Sequence, residues 1–424
     1  MRILLYSLNY VPEPTGIGLY SGGLAQSLAG LGHEVRVVCA VPHFPQWKVF
    51  EGFRQGWKKT REQGVEVVRC PIYVPTNPSG ARRVAHYFTF FASSIFPMVR
   101  SAFSFKPDLV FCVAPSLIAA PAGLIAAKLS GATSQIHIQD FEVEAAFATE
   151  HLSGQGAAAR LARWFEKAVL RAFDKASTIS PEMVRKLLEK GVVPERSFEL
   201  RNWAEIDHIR PQPTSLFRER WNIRTPHVAL YSGSIAQKQG IESIIDAARA
   251  LAHRDDLTFV ICGNGPRRKT LEASAAGLSN IQLHDLQPME ELGELLNLAT
   301  VHLLPQRKDA ADLVLPSKMA NMLASGRPIV AGVEAGTGIA REIEGCGLLC
   351  EPENGAAMAA AIESLFADQE RYAVFSTSAR VRAQERWARD SIIGMFDRAL
   401  RRGSSHENTP DSGESTARTK KESS

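Results

Sequence analysis

Residues 301–331 read VHLLPQRKDAADLVLPSKMANMLASGRPIVA. Val301–Leu304 is a short apolar run of strand type. Pro316 disfavours helix in the residue before it, and Ser317 is a good helix N-cap. The residues that follow predict a short helix ended by Gly326, and Ile329–Ala331 predicts another strand. Strand, loop, helix and strand in that order form a βαβ unit of a parallel sheet. A helix opening from a strand-end loop presents free N–H groups and the positive end of its dipole, which suits a diphosphate. Asn321 lies about one turn inside, in reach of a ribose hydroxyl. An ordinary amphipathic helix after a strand would carry the same pattern.

Working outward, the alternation repeats. Towards the N-terminus the strand candidates are Ile3–Leu8, Val35–Cys39, Val65–Arg69, Leu109–Val113, Ser134–Ile138, Ser177–Ile179 and Phe198–Leu200. Arg201 to Pro213 breaks the pattern with Asn-Trp, Pro211 and Pro213, and reads as a linker. The series then restarts with Val228–Tyr231, Thr258–Ile261 and Ile281–Leu283, passes through the opening stretch, and closes with Leu348–Cys350. Two βαβ series predict an α/β protein of two Rossmann-like, doubly wound domains facing a cleft. The expected divisions are 1–205, 206–378, a long helix over 379–402 crossing back to the first domain, and a disordered tail over 403–424. The helix carries Trp387, Ile392, Ile393, Met395 and Phe396; the tail has almost nothing apolar.

Bulk properties agree with two domains. At 424 residues the chain exceeds one ordinary core, and 45% apolar with 22% charged residues is globular composition. A net charge of +4 gives no reason to expect nucleic acid. Six scattered cysteines form no CxxC pair and read as free thiols in a reducing cytoplasm. The opening residues do not read as a secretory leader, so none is expected. The apolar stretches Val84–Val99 and Val113–Ala127 are shorter than the roughly eighteen residues that a spanning helix needs.

Further candidates fall at strand ends. Tyr231-Ser-Gly233-Ser234-Ile-Ala-Gln-Lys238-Gln-Gly240 joins the first strand and helix of the second series, where Lys238 could neutralise a phosphate. Cys262-Gly263-Asn264-Gly265-Pro266 follows the next strand, and its glycines allow a tight turn under a ligand. In the first series the loop holding Glu13, Thr15, Gly16 and Gly18 faces the cleft. It is not a GxGxxG fingerprint, which argues against a nicotinamide dehydrogenase. His137, Gln139 and Asp140 end a central strand. Asp140 is the stronger functional candidate, because His137 can equally be a satisfied core residue. From Val67 to Pro107 there is no acidic residue, while Arg82, Arg83 and Arg100 interleave with Phe88, Phe90, Phe91 and Phe96. That composition suits an anionic membrane surface and a polyprenyl-linked acceptor, or else a buried helix with basic ends.

Together these segments resemble glycosyltransferase family 4, of the retaining GT-B type, over nearly the whole chain to about Arg402. The glycine turn before Lys238, the Gly-Asn-Gly-Pro turn, the helix ending Ala-Ser-Gly-Arg-Pro-Ile-Val-Ala and Asn9-Tyr-x-Pro-Glu-x-Thr-Gly16-x-Gly18 stand in that family's order. His43-Phe-Pro-Gln-Trp47, Arg69-Cys-Pro-Ile-Tyr-Val-Pro75, His137-Ile-Gln-Asp140 and Leu315-Pro316-Ser317-Lys318 resemble its colanic-acid biosynthesis subgroup, often labelled fucosyltransferases. The chain departs from the broad family pattern at three places. The usual Glu-x7-Glu pair falls on Leu313 and Asn321, with Asp312 beside the first. The usual Arg falls near Ser234, and a His-Asp pair on Gln139-Asp140.

The resemblance implies transfer of a sugar from a nucleoside diphosphate sugar to a glycan, with no metal and no cofactor beyond the donor. Asp309 and Asp312 are the one acidic pair that could contest the absence of metal. Catalytic candidates are Asp140, His137 and Lys238. Donor-binding candidates are Gly233, Ser234, Lys238, Gly263, Asn264, Gly265, Asp312, Pro316, Ser317, Lys318 and Asn321. The expected setting is cytoplasmic, at the inner face of the membrane. A sugar-nucleotide epimerase and a non-catalytic nucleotide-sugar-binding protein are the alternatives.

Overall fold

The structure, a computed structural model, describes residues 1–14, 16–78, 80–114, 117–141, 156–204, 206–236, 239–308, 315 and 317–406, without the side chains of 158, 317 and 403–406. Thr15, Lys238, Asp309, Asp312 and Pro316 lie outside it, as does the tail from 407.

The first domain is built on β1 (Arg2–Ser7), β2 (Glu34–Ala40), β3 (Lys58–Glu62), β4 (Val65–Cys70), β5 (Leu109–Ala114), β6 (Thr133–Ile138), β7 (Lys175–Thr178) and β8 (Ser197–Glu199). Its helices are α1 (Gly16–Gly30), α2 (Gly80–Ser104), α3 (Ala120–Ser130), α4 (Ala157–Ala172) and α5 (Pro181–Glu189). The strand order is β3-β4-β2-β1-β5-β6-β7-β8, parallel except where β3 meets β4. Strand side chains alternate between two cores. Leu4 and Tyr6 face Phe90, Ala122 and Leu170 of α2, α3 and α4. Ile3 and Leu5 face Leu24 and Leu28 of α1.

The second domain has β9 (His227–Ser232), β10 (Leu257–Cys262), β11 (Ile281–His284), β12 (Val301–Pro305), β13 (Ile329–Gly332) and β14 (Gly347–Cys350), all parallel in the order β11-β10-β9-β12-β13-β14. Its helices are α6 (Phe217–Arg220), α7 (Glu242–Ala250), α8 (Arg268–Ala275), α9 (Leu292–Asn297), α10 (Ser317–Ala324), α11 (Gly338–Ile343), α12 (Gly355–Ala367) and α13 (Gln369–Arg386). Two doubly wound, Rossmann-like sheets are what the alternation predicts.

Two expectations need correction. The terminal segment is not one helix: α13 stops at Arg386, and α14 (Arg389–His406) starts after a break. At the break the Trp387 carbonyl accepts the Ala204 N–H at 2.9 Å, and Ala388 forms a β-bridge with Ala204. The outgoing and returning strands of the interdomain crossing therefore pair with each other. Beyond it α14 packs on the first domain through Phe396 against Phe111. The second correction is β3, whose Lys-Lys-Thr-Arg-Glu sequence has no apolar residue to announce it. Its signal is the Gln63-Gly64 turn, where φ is 46° and 82°, as a two-residue hairpin requires.

Candidate active site

In the second domain the strand ends are tied together by backbone. The Gly233 N–H donates to the Cys262 carbonyl at 3.0 Å, and the Ile235 N–H to the Asn264 carbonyl at 2.9 Å. This pairing leaves no room for side chains. A Cβ on Gly263 would lie 1.9 Å from the Gly233 carbonyl oxygen, and one on Gly265 would lie 2.3 Å from that of Ile235. Gly233 and Gly265 also hold φ of 147° and 159°, at the edge of the region that favours glycine. Arg268 fastens the second turn, donating to the Gly263 and His284 carbonyls at 2.7 Å each. Ser234 and Asn264 are left exposed on the rim.

Lys318, in the first turn of α10, reaches back over these turns. Its ammonium sits 4.6 Å above the Tyr231 ring and donates to the Gln239 Oε1 at 3.2 Å. A Cβ on Gly233 would lie 3.5 Å from its side chain. The Tyr231 hydroxyl donates to the Ser234 carbonyl at 2.7 Å, and burial pushes its pKa up, so it stays a neutral platform under the cation. Asn321, one turn further along α10, is half-buried with no side-chain hydrogen bond among the described residues. The structure thus brings together Gly233, Ser234, Gly263, Asn264, Gly265 and Lys318, and sequence reading missed Tyr231 and Gln239 as supports.

The first domain builds its edge differently. Glu13 is buried, 1% exposed, and its carboxylate accepts from the His43 and Phe44 N–H groups at 2.9 and 3.0 Å and from Asn9 Nδ2 at 2.8 Å. It therefore staples the loop after β1 to the loop after β2. Gly18 packs against it, since a Cβ there would lie 2.7 Å from Glu13 Cβ. Gly16 differs, with φ of 60° and nothing within 4 Å of a Cβ. His86, fully buried, donates through Nδ1 to the Tyr73 carbonyl and stands 4.8 Å from His43; burial lowers its pKa to about 4.

His137 is buried too. Its Nδ1 pairs with Ser177 Oγ at 3.1 Å, its Nε2 with Gln139 Nε2 at 2.9 Å, and burial drives its pKa down to about 3. Gln139 exchanges two hydrogen bonds with Asn202, at 3.0 and 2.8 Å. The imidazole is thus a neutral strut between the β6 edge and the interdomain crossing. Asp140, next in the chain, is exposed.

The two edges face each other. Glu182, at the start of α5 just past β7, pairs with Arg341 of α11, just past β13. A Cβ on Gly338 of α11 would lie 2.6 Å from its Oε2. Behind that contact, Glu342 binds Arg201 at 2.9 Å and Arg386 at 2.8 Å, clamping the crossing. Among the described residues no group of three His, Cys, Asp or Glu side chains is placed to hold a metal ion.

Comparison with known proteins covers both domains. Residues 15–203 match the glycosyl transferase 4-like domain, and residues 226–368 match glycosyl transferases group 1. The chain is 39% identical over 415 residues to an Escherichia coli (strain K12) protein provisionally named colanic acid biosynthesis glycosyl transferase WcaI, spanning 95% of this chain and 100% of that one. Among solved structures, sucrose-phosphate synthase from Thermosynechococcus elongatus aligns with a TM-score of 0.67 at 17% identity, over 96% of this chain and 99% of that one. Anabaena HepE, solved with UDP, aligns with a TM-score of 0.66 at 16% identity, over 95% and 100%. Two facing Rossmann-like domains make the GT-B architecture, and the family matches with the E. coli relative make the protein a glycosyltransferase. The motif resemblance extends over the full fold, and the chain belongs to glycosyltransferase family 4.

Proposed function

We propose that the protein is a retaining transferase that moves a sugar from a nucleoside diphosphate sugar to a polyprenyl-linked glycan, in assembly of a bacterial exopolysaccharide of the colanic acid type. The observation that carries this reading is the Lys318 ammonium held between the Tyr231 ring and Gln239, above the interlocked glycine turns. Breaking the anomeric C–O bond moves negative charge onto the diphosphate, and a fixed ammonium stabilises that charge without rearranging. Asn321 would take a ribose hydroxyl, and Lys238 would add a second cation. Asp140 would orient the acceptor hydroxyl from the facing edge. His137, with both ring nitrogens engaged, acts as a positioning residue for Gln139.

The colanic acid name of the E. coli relative and the UDP bound to HepE support the polysaccharide and the donor class. The family resemblance implies a reaction without a metal, so transfer should persist in a chelator. The test is incubation with UDP-, GDP- and dTDP-sugars and a polyprenyl-linked glycan extract, with anomeric proton couplings read on the product. An α-linked product from an α-configured donor is expected; a β-linked product would overturn the reading.

The acceptor class places the enzyme at a membrane. No helix among the described residues is long and apolar enough to cross one. The outer face of α2, however, exposes Phe88, Phe96 and Phe103 at 57%, 68% and 60%, beside exposed Arg82 and Arg100. Apolar rings among cations suit the interface of an anionic bilayer. Each arginine near such a surface contributes about 1 kcal/mol, so Arg82→Glu/Arg83→Glu, which reverses both charges, should weaken vesicle binding by at least about thirtyfold. Unchanged binding would remove α2 from the contact.

A further inference from the structure

The α2 face has a neighbour that the sequence did not single out. Helices α2, α3 and α4 pack side by side on one face of the first sheet, with their inner sides sharing one core. Their outer sides therefore form one surface. On α4 that surface presents Leu161 and Trp164, 63% and 66% exposed, one turn apart. Ile125 and Leu129 of α3, at 40% and 45%, lie between them and the phenylalanines of α2.

The charge on this layer is one-sided. Glu166 is the sole acidic residue in the three helices. It is turned inward, 1% exposed, and bound by Lys190 at 2.7 Å. Outside remain the exposed Arg160 and Lys167 of α4 and Lys128 of α3, with Arg82 and Arg100 of α2. A soluble protein partner with a matching apolar patch would leave these cations without a counter-charge, whereas an anionic bilayer supplies both at once. Tryptophan is also the side chain best suited to the headgroup boundary.

We propose that α4 is the second foot of a membrane-docking platform, inserting Leu161 and Trp164 into an anionic leaflet while Arg160 and Lys167 meet its headgroups. This rests on the membrane reading of α2 but adds an independent anchor. With two feet on one plane the enzyme sits on the bilayer in a fixed orientation. Both α2 and α4 begin at the sheet edge that faces the second domain, so the cleft is held at a set height above the lipid.

The test uses the full chain and vesicles of phosphatidylcholine mixed with phosphatidylglycerol, or of phosphatidylcholine alone. The parent should co-sediment with the mixed vesicles and much less with the neutral ones. Leu161→Ser/Trp164→Ser should lower that binding at least tenfold with an unchanged melting curve, because both side chains face solvent. Trp164→Phe should keep binding but lose most of the blue shift in tryptophan emission that mixed vesicles produce. Parent-like binding by the serine variant, or an undiminished blue shift in Trp164→Phe, would overturn the proposal. If only Arg82→Glu/Arg83→Glu weakens binding, α2 stands and α4 falls. If the parent binds neither vesicle, or pairs with itself through this face in sedimentation velocity, both fall. None of these outcomes bears on sugar transfer, which the product couplings decide.

Discussion

The two edges that meet across the cleft are built from opposite materials. On the edge proposed for the donor, in the second domain, the fit is made by what is missing: Gly263 and Gly265 let two loops lie carbonyl against Cα. On the edge proposed for the acceptor, in the first domain, it is made by what is present: a buried Glu13 carboxylate collects three N–H donors from two loops. Backbone-to-backbone contact cannot relax when an atom is added, and a buried carboxylate cannot be replaced when atoms are removed. So the donor edge should be intolerant of addition and the acceptor edge intolerant of deletion.

Deletion at the acceptor edge should have the largest effect. Glu13→Ala strands three donors, each costing about 1–3 kcal/mol when buried and unsatisfied, so a loss of about 4 kcal/mol is expected in chemical denaturation. A loss under about 1 kcal/mol would mean that the staple is replaceable by water. Addition at the donor edge comes next. Gly263→Ala drives a methyl into a carbonyl and should cost about 3 kcal/mol, at the upper end for overpacking. Gly16→Ala meets open space and should cost only about 1 kcal/mol for its left-handed backbone. Equal losses for the two glycine variants would mean that the two sites do not differ in their room for a side chain.

A smaller effect concerns a feature the two domains share. Each sheet buries one neutral histidine in an inner strand, His137 in β6 and His302 in β12, and burial lowers both pKa values from 6.5 to about 3. Above pH 6.5 neither folded nor unfolded chain takes up these protons. Between 6.5 and 3 the unfolded chain binds them and the native one does not, so stability falls with falling pH by about 1 kcal/mol per unit for each. Thermal melts from neutral pH to about pH 5 should show this loss, to which the buried His86 of α2 adds in the same direction, and His302→Asn should flatten the slope by about a third. An unchanged slope would mean that His302 is not held neutral.

The same contrast explains how much could be read in advance. The donor edge was legible because its glycines and the Ser317–Ala324 helix lie in short contiguous runs, each with a local physical reason. The two sheets were legible because strand and helix periods alternate. Glu13 could be placed on a cleft loop but not read as a staple, since its partners at 43 and 44 become neighbours only through β1–β2 pairing. The same holds for Gln239 under Lys318, which lies 79 residues away. The break at Trp387–Ala388 was hidden because helical periodicity continues through it and only the bridge to Ala204 interrupts it. Trp164 was passed over because one exposed tryptophan means little until the helix beside it is known to expose phenylalanines on the same side.

We propose that the second domain holds the donor diphosphate through Lys318. This is tested most directly by titrating UDP, GDP and dTDP into the parent and Lys318→Ala while following the melting temperature. At least one nucleotide should stabilise the parent. Lys318→Ala should bind that nucleotide at least tenfold more weakly, the loss expected for one charged contact of about 1.5–3 kcal/mol. Equal stabilisation of both proteins would contradict the claim and move the diphosphate away from this edge.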